Sequence, residues 1–78
     1  MQITVRYFAA LREARGCDEE ALAVSEGTDV AALYQQIFSD SPLAVLRVMF
    51  AVNQSYVGAN HGLVDGDEVA FIPPLGGG

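Results

Sequence analysis

Residues 28–38 have the sequence TDVAALYQQIF, and this stretch predicts the helix on which the rest of the fold is arranged. Its apolar side chains fall at i, i+3, i+4, i+7 and i+8, which makes one continuous stripe along a helix: Val30, Leu33, Tyr34, Ile37 and Phe38. Thr28 or Asp29 is placed to cap its start, and Ser41-Pro42 is expected to stop it. The stripe must be buried against another layer of structure.

The flanking segments supply that layer as strands. Ile3, Val5 and Tyr7 alternate with polar residues in the segment 2–8, which is typical of a half-buried strand. A short helix is predicted next, at 9–14, with Gly16 closing it. Extended segments and turns complete the pattern: strands at 21–24, 48–53, 56–57 and 68–72, and turns at 53–55 and 65–67.

This order of elements predicts an α+β fold of the β-grasp, or ubiquitin-like, kind. We expect a mixed sheet of four to five strands with one main helix packed on one face, and the first and last strands lying side by side at its centre. The domain is predicted to span residues 1–72. Residues 73–78 form an extended tail, because neither Pro73 nor Pro74 can donate a hydrogen bond to a neighbouring strand.

Composition narrows the class of protein. The chain has 78 residues, is 51% hydrophobic and carries a formal net charge of −6 with no lysine. Nucleic acid and anionic membranes are disfavoured partners because both attract basic surfaces. An acidic domain suits a basic protein partner, although acidity also serves solubility. No targeting segment or long apolar run is visible, so we expect a cytoplasmic location.

Few residues suggest chemistry within the domain. Cys17 and His61 are isolated in the sequence, and Asp65-Gly66-Asp67 is predicted to be a turn rather than a calcium loop. No phosphate loop, catalytic triad or nucleotide fingerprint is present. We therefore expect no metal and no bound cofactor, and we expect that the chain is not an enzyme by itself.

The C-terminal sequence Pro73-Pro74-Leu75-Gly76-Gly77-Gly78 is the clearest functional signal. Glycine has no side chain, so consecutive glycines form a thin backbone that passes through a narrow site on a partner. The diproline stiffens its start, and six extended residues reach at most about 20 Å. A carboxylate is a poor electrophile, so a partner must activate it, usually as an acyl-adenylate. A sulfur donor then converts it to a thiocarboxylate.

Three segments together resemble the small subunits of molybdopterin synthase. They are Tyr7-Phe8-Ala9-Ala10-Leu11-Arg12-Glu13, Ala51-Val52-Asn53-Gln54, and the run from Asp65 to Pro74 that leads to the terminal glycines. The resemblance implies a sulfur carrier whose terminal glycine is adenylated with ATP by an enzyme related to ubiquitin-activating enzymes. The resulting thiocarboxylate enters the large catalytic subunit, in a heterotetramer, and gives sulfur to the dithiolene of molybdopterin.

The same resemblance assigns roles to individual residues. Gly78 carries the sulfur, and Gly77 provides clearance before it. Candidate partner-binding residues lie on the sheet face away from the main helix and in the tail: Phe8, Tyr56, Ile72, Pro73, Pro74, Leu75 and Gly76.

Two other functions remain open at this point. A sulfur carrier for thiamine-thiazole synthesis, or for another sulfur pathway, would share the fold and the terminal glycines. A ubiquitin-like modifier would use the same activated Gly78 to acylate lysines of other proteins. Copurification with a large synthase subunit distinguishes the first alternative, and high-mass conjugates in cells would reveal the second.

Overall fold

The computed structural model describes residues 1–74; the predicted tail residues Leu75, Gly76, Gly77 and Gly78 lie outside the described part. The elements follow in the predicted order. They are β1 (Gln2–Tyr7), α1 (Ala9–Arg15), β2 (Glu19–Ala23), α2 (Val30–Phe38), a 3-10 helix (Pro42–Val45), β3 (Met49–Val52), β4 (Ser55–Val57) and β5 (Glu68–Ile72).

The five strands form one mixed sheet in the order β2-β1-β5-β3-β4. β1 and β5 are parallel neighbours near the centre, and the other strand pairs are antiparallel. The β-grasp prediction is therefore confirmed, including the side-by-side placement of the first and last strands. Along β1, buried Ile3, Val5 and Tyr7 alternate with more exposed residues, as the sequence pattern predicts.

An aromatic cluster joins α2 to the sheet. The Tyr34 ring lies 5.0 Å from the Phe71 ring, with an interplanar angle of 83°, and 4.8 Å from the Phe38 ring. Tyr7 meets Phe38 edge-on at 6.1 Å. Edge-to-face contacts of this kind add about 0.5–1.5 kcal/mol per pair to the burial of the rings. The helical stripe and the inward positions of β1 and β5 thus share one core.

Hydrogen bonds define both ends of α2. Asp29, rather than Thr28, is the N-cap, and its Oδ1 accepts from the Ala32 N–H at 2.8 Å. Beyond the helix, Ser41 caps a 3-10 helix that the sequence analysis did not predict. The Tyr34 hydroxyl donates to the Leu43 carbonyl at 2.6 Å and ties this turn to α2. This contact depends on tertiary packing, so local sequence gives little sign of it.

The predicted boundaries of β2 and β3 need correction. β2 starts at Glu19 instead of residue 21, because Arg6 and Val5 of β1 pair with Glu19 and Glu20. Glutamates have weak strand propensity, and pairing with β1 overrides it. β3 is shorter than the predicted 48–53. Its end is set by Asn53 and Gln54, whose φ angles of 50° and 72° make the two-residue turn to β4.

A buried carboxylate holds that turn against the start of β5. Asp67 is only 6% exposed. Its Oδ1 accepts from the Asn53 side-chain amide at 3.0 Å, and its Oδ2 accepts from the Val64 N–H at 2.9 Å. Asn53 in turn accepts from the Glu68 N–H at 3.0 Å. The predicted turn at 65–67 is therefore a junction between distant parts of the sheet.

A second polar cluster fixes α1 to β2. The buried Tyr7 hydroxyl donates to Glu20 Oε2 at 2.7 Å, and Arg15 Nε donates to the same oxygen at 2.8 Å. Burial raises the pKa of Tyr7, and the hydrogen bond to Glu20 raises it further. Burial alone would raise the pKa of Glu20, but the hydrogen bonds from Tyr7 and Arg15 outweigh it, and the pKa is lowered.

Replacing Asp67 by Asn should destabilise the domain. The amide puts an N–H₂ group opposite a donor that the carboxylate now satisfies, and we expect a loss of about 1–3 kcal/mol in the free energy of unfolding. Urea denaturation of Asp67→Asn and of the exposed control Asp40→Asn measures it. Equal midpoints for the two variants would contradict this role of Asp67.

Replacing Glu20 by Gln should lower the melting temperature in a pH-dependent way. The folded pKa of Glu20 is lowered, so its ionised form stabilises the fold above the unfolded-state pKa. That stability is lost as pH falls through the folded pKa. The difference between wild type and Glu20→Gln should therefore be largest near neutral pH and shrink in acid. A constant difference across thermal melts from neutral to acidic pH, with Glu13→Gln as control, would show that the charge is not responsible.

Candidate functional site

The parallel pairing of β1 with β5 brings two distant segments together at one edge of the sheet. Tyr7 is in register with Phe71, so the residues that follow, Phe8 and Ile72, leave the sheet side by side. Phe8 is extended and is the N-cap residue of α1. Ala9 then adopts a φ of 50°, in the left-handed region that costs a residue with a Cβ roughly 1–2 kcal/mol. This sharp turn separates the end of β1 from α1.

An apolar cavity of about 360 Å³ lies at this edge. It is lined by the two strand ends and the start of the tail: Phe8, Ala9, Ile72, Pro73 and Pro74. Phe8 is 39% exposed although it is a large hydrophobic residue. The described chain thus enters its tail beside an exposed apolar surface.

A second cavity, of about 210 Å³, adjoins the first and shares Phe8 and Ile72 with it. It extends over the sheet face that does not carry α2, and its other lining residues are Arg6, Ala51, Gln54, Tyr56, Glu68 and Ala70. We call the lining residues of the two cavities together the open face. Tyr56 stands at its far side and is 67% exposed.

Small residues shape the middle of the open face. Ala51 of β3 pairs with Ala70 of β5 on one side and with Tyr56 of β4 on the other. Two alanines side by side leave a depression between the larger side chains of Phe8, Ile72 and Tyr56. Sequence reasoning did not select these alanines, although their alternation with Phe50, Phe71 and Val69 was a usable signal.

Met49 is another residue that the sequence analysis missed. It is in register with Ile72 and is 56% exposed, so it extends the apolar area next to the open face. Its place was hidden because the sequence gave β3 as one apolar run without alternation. Only the pairing with β5 shows which side chains of that run face outward.

The charges on the open face are few and balanced. The Arg6 guanidinium lies 5.7 Å from the centroid of the Phe8 ring, within the range of a cation–π contact. Arg6 also lies 4.0 Å from Glu19, and both side chains are well exposed, so this ion pair contributes little to stability. Glu68 lines the opposite part of the surface. The centre of the face is therefore apolar and its rim is polar, as in protein–protein contact surfaces.

The structure brings together five of the predicted partner-binding residues. Phe8, Ile72, Pro73 and Pro74 line one cavity, and Tyr56 lines the cavity adjoining it. Their contact with a partner stays a prediction. The remaining candidates, Leu75, Gly76, Gly77 and Gly78, lie outside the described residues.

Two searches of residues 1–74 were negative. Within this range, no group of three or more His, Cys, Asp or Glu side chains is arranged to hold a metal ion. In the same range, none of the helices combines the length and apolar character needed to cross a bilayer.

Known proteins resemble this chain over almost its whole length. The model of the ThiS family matches residues 5–78, which includes the terminal glycines. The molybdopterin synthase sulfur carrier subunit of Chlamydomonas reinhardtii is 43% identical, and the alignment covers 100% of both chains. The protein of the same name from Mycobacterium tuberculosis is 44% identical over 100% of this chain and 99% of that one.

A solved structure shows the same fold. The complex of subunits 1 and 2 of the molybdopterin-converting factor from Helicobacter pylori contains a chain that matches with a TM-score of 0.66. The two are 24% identical, and the match covers 100% of each chain. Sequence and fold agree, and this chain belongs to the ThiS family, in which it matches molybdopterin synthase sulfur carrier subunits from end to end.

Proposed function

We propose that the chain is the sulfur carrier subunit of a molybdopterin synthase, with its terminal glycine as the sulfur-bearing group. The full-length similarity to sulfur carrier subunits supports this assignment. The single structural observation that carries it is the exit of the tail: Pro73 and Pro74 leave β5 next to the apolar open face. A partner bound on that face has the tail within reach.

The chemistry follows from the carboxylate of Gly78. An adenylating partner first joins this carboxylate to the α-phosphate of ATP and releases pyrophosphate. A sulfur nucleophile then displaces AMP and leaves a thiocarboxylate. The domain itself supplies no catalytic group in this scheme. It presents the tail and acts as a protein-bound cosubstrate, and the cytoplasm, where ATP is available, is the proposed setting.

The large catalytic subunit is the proposed acceptor of the charged tail. Gly76 and Gly77 give the thin backbone that a narrow channel in that subunit requires. There the thiocarboxylate donates sulfur for the dithiolene of molybdopterin. Two carriers on a dimer of large subunits make the proposed heterotetramer.

The open face is the proposed docking surface for both protein partners. Its apolar centre contains Phe8 and Ile72, and Tyr56 lies at its margin. Each partner would need the same exit of the tail, so the adenylating enzyme and the large subunit would bind in turn and not together. The net charge of −6 favours basic surfaces around both docking sites.

Incubation with ATP, an adenylating enzyme and a sulfide source should change the intact mass of the chain by one oxygen-to-sulfur exchange. Fragmentation should locate the exchange at Gly78. A chain that lacks Gly78 offers a matched control and should stay unchanged. The proposal fails if the full chain gains no sulfur, or if the shortened chain still supports molybdopterin formation in cells.

Replacing Phe8 or Ile72 by Asp should weaken the complex with the large subunit. A charge at the centre of a buried contact has no partner, and central residues of an interface often carry about 2 kcal/mol, or roughly a thirtyfold change in affinity. Calorimetry on each variant measures the effect. Val64→Asp is a matched control, because Val64 is 63% exposed and lies in the turn that precedes β5, away from the open face. Equal affinities for all three variants would remove the open face from the interface.

A further inference from the structure

The outer edge of β2 offers backbone hydrogen-bonding groups that the described fold does not use. β2 is the first strand of the sheet and pairs with β1 on one side; within residues 1–74 no strand pairs with its other side. The Tyr7 N–H donates to the Asp18 carbonyl and the Val24 N–H donates to the Met1 carbonyl, each at 2.8 Å. These bonds fix which peptide groups face β1.

Because peptide groups alternate in direction along an antiparallel strand, the others must face outward. The register places Glu20 and Leu22 directly opposite β1 residues in the inward-facing set. The outward-facing groups belong to Glu19, Ala21 and Ala23, and all three residues are exposed. Two of them are alanines, whose small side chains leave the backbone accessible. Lysine and proline, which commonly protect sheet edges, are missing from β2.

A cleft runs beside this edge on the side of the sheet that carries α2. Its volume is about 240 Å³, and Leu22 and Val24 of the β2 side face Leu33 and Ile37 of α2 across it. Leu22 and Ile37 are only partly buried. A strand added to β2 would direct every second side chain into this cleft. The edge thus offers backbone bonding together with an apolar groove for alternate side chains.

The charge beside the edge indicates what kind of strand fits. Asp18 and Glu19 lie at the start of β2, and their side chains are 82% and 58% exposed. Each lies 4.0 Å from an arginine of the same chain, which is a weak pairing for exposed groups. A second copy of this chain would bring a net charge of −6 against the same acidic edge. A basic segment of another protein is complementary to it.

We propose that β2 accepts an extended peptide of a partner protein as an additional antiparallel strand, with alternating apolar side chains in the cleft and a basic C-terminal end beside Asp18 and Glu19. Antiparallel pairing puts the C-terminal end of the added strand at the start of β2. This mode of recognition combines main-chain hydrogen bonds with pockets for alternate side chains.

This surface is separate from the open face. The cleft lies on the α2 side of the sheet, and the open face lies on the other side, centred on β5 and β3. A peptide on β2 therefore leaves the exit of the tail unobstructed. The inference does not rest on the proposed sulfur-carrier role, and the two are tested by different measurements.

The test is a titration of the ¹⁵N- and methyl-labelled chain with an acetylated peptide of alternating valine and threonine that ends in two arginines. We expect the largest shifts at the amides of Glu19, Ala21 and Ala23 and at the methyl groups of Leu33 and Ile37. Ala21→Pro removes one outward N–H without removing a bond to β1, and we expect affinity to fall at least about tenfold. Ala21→Val keeps the N–H and should bind like wild type.

A charge reversal provides a second route that does not depend on the folding of the proline variant. Glu19→Arg should weaken binding of the arginine-ended peptide and strengthen binding of the same peptide ended by two glutamates. Shifts confined to the open face or to β4, or equal affinities for both peptides with Glu19→Arg, would overturn the proposal. A dimer of the chain in sedimentation that Ala21→Pro abolishes would also overturn it, because the edge would then serve a second copy.

Discussion

The parallel pairing of β1 with β5 is the interaction on which the rest of the structure depends. It joins residues more than sixty positions apart, since Thr4 is in register with Glu68 and Tyr7 with Phe71. Parallel strands end at the same edge of a sheet, so Phe8 and the Ile72-Pro73 segment emerge together. The same pairing places Val5 and Val69, both fully buried, under α2. Core and candidate site are consequences of one register.

The two faces of the sheet differ because the strand period is two. Toward α2, the inward positions of β1 and β5 are large and include the aromatic rings that surround Tyr34. Away from α2, the central positions of β3 and β5 are the alanines Ala51 and Ala70. Large residues on one side fill a core, whereas small residues on the other leave a shallow surface between exposed rings. A shift of one residue in register would exchange the two faces.

Polar contacts hold the framework at its corners. The Asp67 carboxylate links the β3–β4 turn to the loop before β5, and Glu20 links α1 to β2 through Tyr7 and Arg15. These contacts secure the elements on either side of the central strand pair. The described docking area and the outer edge of β2 lie at different places on this framework, so the small domain has room for two partners at once.

The sequence by itself determined the elements that have a strong local signal. The stripe in TDVAALYQQIF, the alternation of β1, the glycine after α1 and the turn at 65–67 each reflect short-range spacing or backbone preference, and the structure contains all of them. The grouping of Phe8 with Ile72 also followed from alternation. Tertiary structure alone decided the start of β2, the 3-10 helix after α2, and the exposure of Met49 and the two alanines. Each of these depends on pairing or packing with residues far along the chain, which local propensity does not encode. The terminal glycines belong to the sequence part of the account, since the described structure ends at Pro74, where it sets the place from which they start.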